Sequence, residues 1–318
     1  VGQAPKAIAF SDDGQFAYVL NHHSFDISAI DLEPVFEAAE TVAVVDTSMA
    51  DKRLMVSGPL EERMNPVVLT AHTHTTYTYG TDPLPESARV GRRLYTFVGN
   101  TEVNSDARFA CASCHFEGTE DQLVWATPVG MRQTPALAGR LHDTAPYNWG
   151  ASEATLAGNM TQTIDRMDGE GLTKEELASL EEFLIIGLER PTNPYRLASG
   201  LTTEQLWGKD LFNDPTVGCA GCHSGPDLAD GNTYDVGTTS DMEKDLQMLI
   251  ADLTQEEPQP LKLNTPSLRD VFATAPYFHN GTAETLMDVL DQTSTTMGNT
   301  SHLTWEQKQY LIAYLQTL

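Results

Sequence analysis

The chain lacks any apolar run approaching the ~20 residues that a membrane-spanning helix requires, so no such helix is expected within these 318 residues. Basic side chains are scarce, 19 against 45 acidic, and the formal charge is −26. A surface of that sign repels phosphate backbones and excludes nucleic acid as a partner. It suits steering towards a basic patch on a redox partner, and equally suits solvation in salty surroundings. Cysteine is also sparse, with four residues in all.

Those four fall in two copies of one pentapeptide, Cys111-Ala-Ser-Cys114-His115 and Cys219-Ala-Gly-Cys222-His223. In Cys-x-x-Cys-His the two thiols add across the vinyl groups of a haem and the following histidine ligates its iron, so the cofactor dictates spacing and order. A zinc ribbon needs its cysteine pairs closer together, and a redox dithiol needs no adjacent histidine. Two covalently bound haem c groups are therefore expected. Covalent haem attachment takes place outside the bacterial cytoplasm, which implies a periplasmic or extracellular protein; Val1, with no Met or signal peptide, reads as a processed terminus or a fragment boundary.

Residues 1–33 alternate apolar and polar side chains around Asp13-Gly14, as β-hairpins do. The segment Pro5-Lys-Ala-Ile-Ala-Phe-Ser-Asp-Asp-Gly14 through Ile27-Ser-Ala-Ile-Asp31 resembles one blade of a β-propeller repeat. A single blade cannot bury its faces, so further blades, a partner subunit or the haem domains should contact it. Residues 34–82 read as a β and irregular connector, with short strands at 41–46 and 54–56 and an irregular stretch at 57–86. The histidines His22, His23, His72 and His74 read as loop residues with ligation as the minor alternative.

From there the chain repeats itself. Gly91-Arg-Arg-Leu94-Tyr95 before the first motif matches Gly208-Lys-Asp-Leu211-Phe212 before the second. After the motifs, Thr134-Pro-Ala-Leu137 and Thr144-Ala-Pro-Tyr147 match Thr265-Pro-Ser-Leu268 and Thr274-Ala-Pro-Tyr277. Each unit closes with a capping box, Thr173-Lys-Glu-Glu176 or Thr304-Trp-Glu-Gln307, that opens a helix. Leu177, Leu180, Phe183 and Leu184 share a face of one helix, and Tyr310, Leu311, Tyr314 and Leu315 a face of the other; these faces should cover the haem or its supporting helices. The proline-bearing stretch 189–200 is the natural linker, giving domains at 83–196 and 197–318.

Two units in tandem, each with C-x-x-C-H, T-P-x-L, T-A-P-Y and a final helix, resemble bacterial di-haem cytochrome c peroxidase and its relatives. Those relatives include the enzyme that oxidises tryptophans of methylamine dehydrogenase during maturation, and propeller-fused di-haem cytochromes. The resemblance covers residues 83–318. It implies a mainly α fold, two tandem cytochrome c-like haem domains preceded by a small β segment, with the haems facing one another. It also implies a calcium ion at the domain interface, with Asn264-Thr265-Pro266 compatible.

An iron with two protein ligands only passes electrons, whereas peroxide chemistry needs an open sixth position. For the second haem, whose fifth ligand is His223, the resemblance implies a methionine, and Met297 occupies that place. For the first, carried by His115, repeat and family diverge. The repeat aligns Met167 with Met297, while the family has a removable histidine where the sixteenth residue past His115 is Met131. Met167 is favoured over Met131, His142 or a vacant position. Trp149 stands where the family places a tryptophan between the haems. The family's active-site glutamine and glutamate have no clear counterpart, Glu153, Asp165, Asp168 and Glu170 being the substitutes; Trp149 and Glu170 are the catalytic candidates. Arg132, Arg140 and Arg269 are candidate propionate partners by guanidinium chemistry. The leading expectation is extracytoplasmic electron transfer. The alternatives are peroxide reduction or a related oxidation at the first haem, or a place in a larger redox assembly.

Overall fold

A computed structural model describes residues 5–21, 26–32, 74–78, 82–255, 257 and 260–318. It divides into two compact units, Val1–Pro85 and Glu86–Leu318.

In the first unit, β1 (Pro5–Phe10), β2 (Phe16–Asn21), β3 (Asp26–Asp31) and β4 (His74–Thr78) form an antiparallel sheet in sequential order. Polar side chains build the β1–β2 turn: Asp13 Oδ1 accepts from Ser11 Oγ at 2.6 Å and from the Gln15 amide at 3.0 Å. Gly14 follows at φ 71°, a value glycine adopts without steric cost. Alternation buries Ala17, Val19 and Ser28, whereas Ile8 and Phe10 remain mostly exposed. The hairpins expected between Pro5 and Asp31 are present. Strand β4 lies within 57–86, a stretch that reads as mostly irregular. Ladder pairing to β3, with Tyr77 opposite Ile27, recruits a segment whose own alternation is too weak to announce it. His74 sits on β4 opposite Ile30. The strands at 41–46 and 54–56, with His22, His23 and His72, lie outside the described residues.

The second unit is mostly helical and internally duplicated. Its helices are α1 (Glu86–Thr96), α2 (Cys111–Cys114), α3 (Leu156–Arg166), α4 (Lys174–Ile186), α5 (Thr203–Asn213), α6 (Asp241–Thr254), α7 (Leu286–Gln292) and α8 (Trp305–Leu315). Helices α4 and α8 start at the expected capping boxes; Thr202, Ser240 and Thr285 cap α5, α6 and α7 in the same manner. In each half the first helix crosses the last, and the crossing is closest at a glycine. A Cβ on Gly91 would overlap the Ser179 carbonyl, and one on Gly208 the Tyr310 carbonyl. Aromatic pairs extend both crossings: Tyr95 to Phe183 at 5.3 Å and Phe212 to Tyr314 at 5.5 Å between ring centroids. The apolar faces expected on the closing helices therefore cover supporting helices. Gly208→Val is expected to prise α5 from α8 and cost about 3 kcal/mol by overpacking, read as a lower denaturant midpoint. An unchanged midpoint would show that the crossing has slack.

Each half also holds a two-stranded antiparallel ladder that the helical repeat did not announce, a hairpin in the first half and a pair with α6 between its strands in the second. β5 (Val124–Thr127) pairs with β6 (Gly130–Gln133), and β7 (Thr233–Tyr234) with β8 (Leu263–Asn264). Strands β6 and β8 lead directly into Thr134-Pro135 and Thr265-Pro266. Their last residues cross between the halves reciprocally. The Gln133 amide donates to the His279 carbonyl at 2.6 Å, and the Asn264 amide to the Trp149 carbonyl at 2.9 Å. The Gln133 side chain donates to the Pro276 carbonyl and that of Asn264 to the Pro146 carbonyl. Buried backbone groups must find partners, so this exchange ties the two halves in a quasi-two-fold manner.

Candidate haem centres

At the second motif, Gly218 takes φ 84° and releases the chain into a turn over Cys219–Gly221 that brings the His223 amide onto the Cys219 carbonyl at 3.0 Å. The His223 ring is buried, and its Nδ1 donates to the Leu228 carbonyl at 3.1 Å. Burial pushes its pKa below the usual imidazole value, against the pull of the Leu228 carbonyl, Asp230 and the Pro266 carbonyl. A neutral imidazole oriented through Nδ1 leaves Nε2 free as a donor to a metal. At the first motif, α2 delivers His115, whose carbonyl accepts from the Tyr95 hydroxyl. Burial lowers its pKa too, with the Pro135 carbonyl opposing. His115 Nδ1 is buried without a hydrogen bond of normal geometry. The proline of each T-P-x-L segment therefore faces the histidine of its own motif.

None of the four cysteines is joined in a disulfide. Burial pushes Cys111 and Cys219 up to about 11. Phe97, Phe109, Phe116, Leu123 and Val129 flank the first motif as exposed apolar side chains. Two thiols, an imidazole and uncovered apolar surface are what a covalent haem requires, and the residues fit the group.

Met297 lies half-buried in the loop between α7 and α8. That loop is clamped to the second motif: a Cβ on Gly298 would lie 2.5 Å from the Val217 carbonyl oxygen, and the Asn299 amide donates to the same oxygen at 2.8 Å. Val217 is two residues before Cys219. Met167 caps α3 in the equivalent place, and each methionine precedes a left-handed residue, Asp168 at φ 53° or Gly298 at φ 80°. The Met167 carbonyl accepts from the Ser105 amide at 3.2 Å. In this half the clamp lies farther from its motif, since Ser105 is six residues ahead of Cys111. Met131 is half-buried on β6 opposite Ala126. His142 is exposed and pairs with Asp143 at 2.9 Å, with the Asp227 carboxylate close by.

Between the halves lies a buried charged cluster. Arg132 Nη1 donates to Glu243 Oε1 at 2.7 Å, and His279 Nε2 lies 3.0 Å from the same oxygen; all three side chains are at most 10% exposed. Arg132 also donates to the Val129 and Met131 carbonyls. Burial works to raise the Glu243 pKa, but bonds from the Ser240 amide, His279 and the Ser240 hydroxyl outweigh it and hold the group below its ordinary value. Burial lowers the His279 pKa despite Glu243, leaving the ring neutral. Trp149 meets the His279 ring edge-on at 6.3 Å and donates Nε1–H to the Gln133 carbonyl at 2.8 Å. Arg140 donates to the Ser267 and Arg269 carbonyls, and Arg269 pairs with Asp227 at 2.9 Å. Glu170 is exposed in the turn after α3, tied by its amide to the Thr101 carbonyl.

Comparison with known proteins agrees with this geometry. The pattern of the family described as RoxA-like, cytochrome c-like matches residues 264–296. The chain is 29% identical over 261 residues to hydrazine synthase subunit gamma of Kuenenia stuttgartiensis, covering 66% of this chain and 72% of that protein. It is 34% identical over 252 residues to the cytochrome c peroxidase Ccp of Escherichia coli K12, covering 64% of this chain and 52% of the relative. A solved structure of Kuenenia stuttgartiensis hydrazine synthase superposes with a TM-score of 0.59 at 25% identity, over 75% of this chain and 89% of that one. These matches support the di-haem cytochrome c peroxidase superfamily. The relatives are di-haem cytochrome c peroxidases and MauG-like proteins, and they support covalently bound haem c in this chain. No helix among the described residues is long and apolar enough to cross a membrane.

The residues that sequence reasoning missed are Glu243 and Glu120. Ser240-x-x-Glu243 reads as a capping box, and Glu243 does cap α6, with the Ser240 amide on Oε2 at 3.0 Å. The same carboxylate collects Arg132 and His279 only through folding. Glu120 is half-buried, its Oε1 without a partner, and burial pushes it up to about 7 although Arg140 pulls the other way. A folded-state pKa above the unfolded 4.5 means that its contribution is fully present below pH 4.5 and is lost as pH rises towards 7. Glu120→Gln is therefore expected to stabilise the protein at pH 8 by about 1–2 kcal/mol after allowance for solvent screening, with no gain at pH 4. Urea titrations at the two pH values measure it. Equal effects at both would show that Glu120 titrates normally.

Proposed function

We propose that this chain carries two haem c groups, one on Cys111, Cys114 and His115 and one on Cys219, Cys222 and His223, and works as an exported electron-transfer protein. The carrying observation is the clamp of the Met297 loop on Val217. It favours His223 and Met297 as the residues that would hold the iron of the second haem, and by the repeat His115 and Met167 as those that would hold the first, with Met131 the alternative. When bound, haem supplies one-electron chemistry between ferric and ferrous iron.

The protein's own residues orient and insulate. The Leu228 carbonyl fixes the His223 tautomer, and burial keeps both imidazoles neutral and ligand-competent. Trp149 and His279 fill the interface between the halves, and the Arg132–Glu243 pair holds β6 against α6. Arg269, with a buried Nε lacking a partner, is the arginine that best retains capacity for a propionate. Asn264 Oδ1, buried and unpartnered, is the oxygen donor that supports an interface calcium ion. The domains divide near residues 196 and 197, and the four-stranded sheet of the first unit has the strand number of one propeller blade.

The decisive experiment couples haem content to reactivity. Acid-acetone should leave two haems per polypeptide, since thioether bonds outlast the fold. Hydrogen peroxide turnover with a reduced cytochrome as donor should be negligible, and Met167→Ala should open the first iron to carbon monoxide. Robust peroxide turnover by the unaltered protein would overturn electron transfer in favour of peroxidase activity, the second reading that kinship with cytochrome c peroxidase supports.

A further inference from the structure

The proposed haem ligation leaves His142 unused, yet folding makes it one of three ligand-type side chains gathered where the two halves meet. Its Nδ1 lies 2.9 Å from Asp143 Oδ2. Asp227, from the turn after the second motif, joins them: one ligand atom from each of the three lies within 4.8 Å of the others. The His142 and Asp143 side chains are exposed, at 69% and 75%, whereas that of Asp227 is only 8% exposed. An imidazole and a buried carboxylate distinguish this set from a solvated acidic surface. Asp227 is also held in place. Arg269 Nη2 lies 2.9 Å from its Oδ1 and donates to the Pro226 carbonyl at 2.9 Å. An ionised carboxylate has about four lone-pair sites, so one guanidinium does not exhaust it, and ligating carboxylates are hydrogen-bonded by outer partners in this manner. The Arg269 charge opposes a cation, but two carboxylates against one guanidinium still leave an excess negative charge beside a neutral imidazole.

The duplication supplies a comparison within the molecule. Asp227 is the fourth residue past His223, and His142-Asp143 directly precede the first T-A-P-Y segment. The matching positions are Thr119, fourth past His115, and Phe272-Ala273 before the second T-A-P-Y. Thr119 and Ala273 meet as well, lining one small cavity between the halves with Thr274 and Arg140. The duplicated backbone thus brings these two stretches together in both places. Only one of them carries His-Asp against Asp, and the other presents a phenylalanine, an alanine and a threonine.

We infer that His142, Asp143 and Asp227 bind a divalent transition-metal ion of the zinc type, which staples the first half to the second. Imidazole with carboxylate oxygens suits zinc, copper(II) or nickel, whereas calcium takes about six to eight oxygens. Ligands about 2.0 Å from a tetrahedral ion stand about 3.3 Å apart. Separations of up to 4.8 Å close to that by rotation of the two exposed side chains, while Asp227 stays fixed on Arg269. His142 gives the Nδ1 lone pair with its ring proton on Nε2, and water completes the fourth position.

The test uses the holoprotein, cleared of loose metal with a chelator and titrated with zinc by calorimetry. It should show a zinc site that calcium at equal concentration does not displace. His142→Ala and Asp143→Asn change exposed side chains, and Asp227→Asn still offers Arg269 an oxygen, so all three should fold. Each should weaken zinc binding at that site by no less than the about 10–100-fold that loss of an outer-shell partner costs. Zinc should raise the thermal midpoint of the unaltered protein and leave that of His142→Ala where it was, because a ligand bound only by the folded chain stabilises it. The haem spectrum should be the same in all four proteins. Unchanged zinc affinity in any one variant, no midpoint shift, or no zinc binding by the unaltered protein would each overturn the inference. So would a changed haem spectrum in His142→Ala, which would assign that ring to iron.

Discussion

Met297→His is expected to lower the potential of the second haem by on the order of 0.2 V, within the ~0.8 V span that axial ligands command. Thioether sulfur favours ferrous iron and imidazole favours ferric, so the direction follows from the donor atom. The loop geometry permits the exchange. Gly298 and Asn299, which hold the loop to Val217, are left untouched, and the substituted side chain starts from the same backbone position. Loss of the far-red sulfur-to-iron band should accompany the shift, with the first haem's signals unmoved. A variant with unaltered potential and spectrum would show that Met297 only fills space.

Glu243→Ala should be the most destabilising single change outside the motifs, costing about 3–5 kcal/mol. The carboxylate is enclosed with Arg132 and His279, and its removal leaves a guanidinium in a low-dielectric interior without its counter-charge. It also strips the first turn of α6 of the acceptor for the Ser240 amide. Equilibrium denaturation read by near-ultraviolet dichroism measures the loss. Glu243→Gln should lose less, since an amide still accepts from Ser240. A loss under about 1 kcal/mol in Glu243→Ala would mean that water reaches the cluster and screens it.

The pH dependence of that cluster has a defined sign. His279 is held neutral with a folded pKa below the unfolded 6.5, so its contribution is complete above about 6.5 and fades as pH falls towards the folded value. Glu243, also lowered, acts the same way below the unfolded carboxylate value of 4.5. Acid should therefore loosen the contact between the halves before it unfolds the helix pairs, whose crossings rest on apolar and glycine contacts.

Much of this protein is determined by sequence alone because it is local or repeated. Cys-x-x-Cys-His is spaced by the cofactor, the capping boxes at Thr173 and Thr304 satisfy amides three residues away, and Gly91 and Gly208 stand at matching places because backbones must touch there. Alternation around Asp13-Gly14 is equally local and yields its hairpin. What only the tertiary structure decided involves groups far apart in the chain. Glu243 reads as a cap until folding brings it Arg132, which is 111 residues away, and His279. Gln133 and Asn264 show no signal of it in the sequence, yet each bonds across the halves because buried amides need partners and each strand end meets the T-A-P-Y stretch of the other half. Hydrogen bonds and charges act over a few ångströms, and only the folded chain decides which residues come that close.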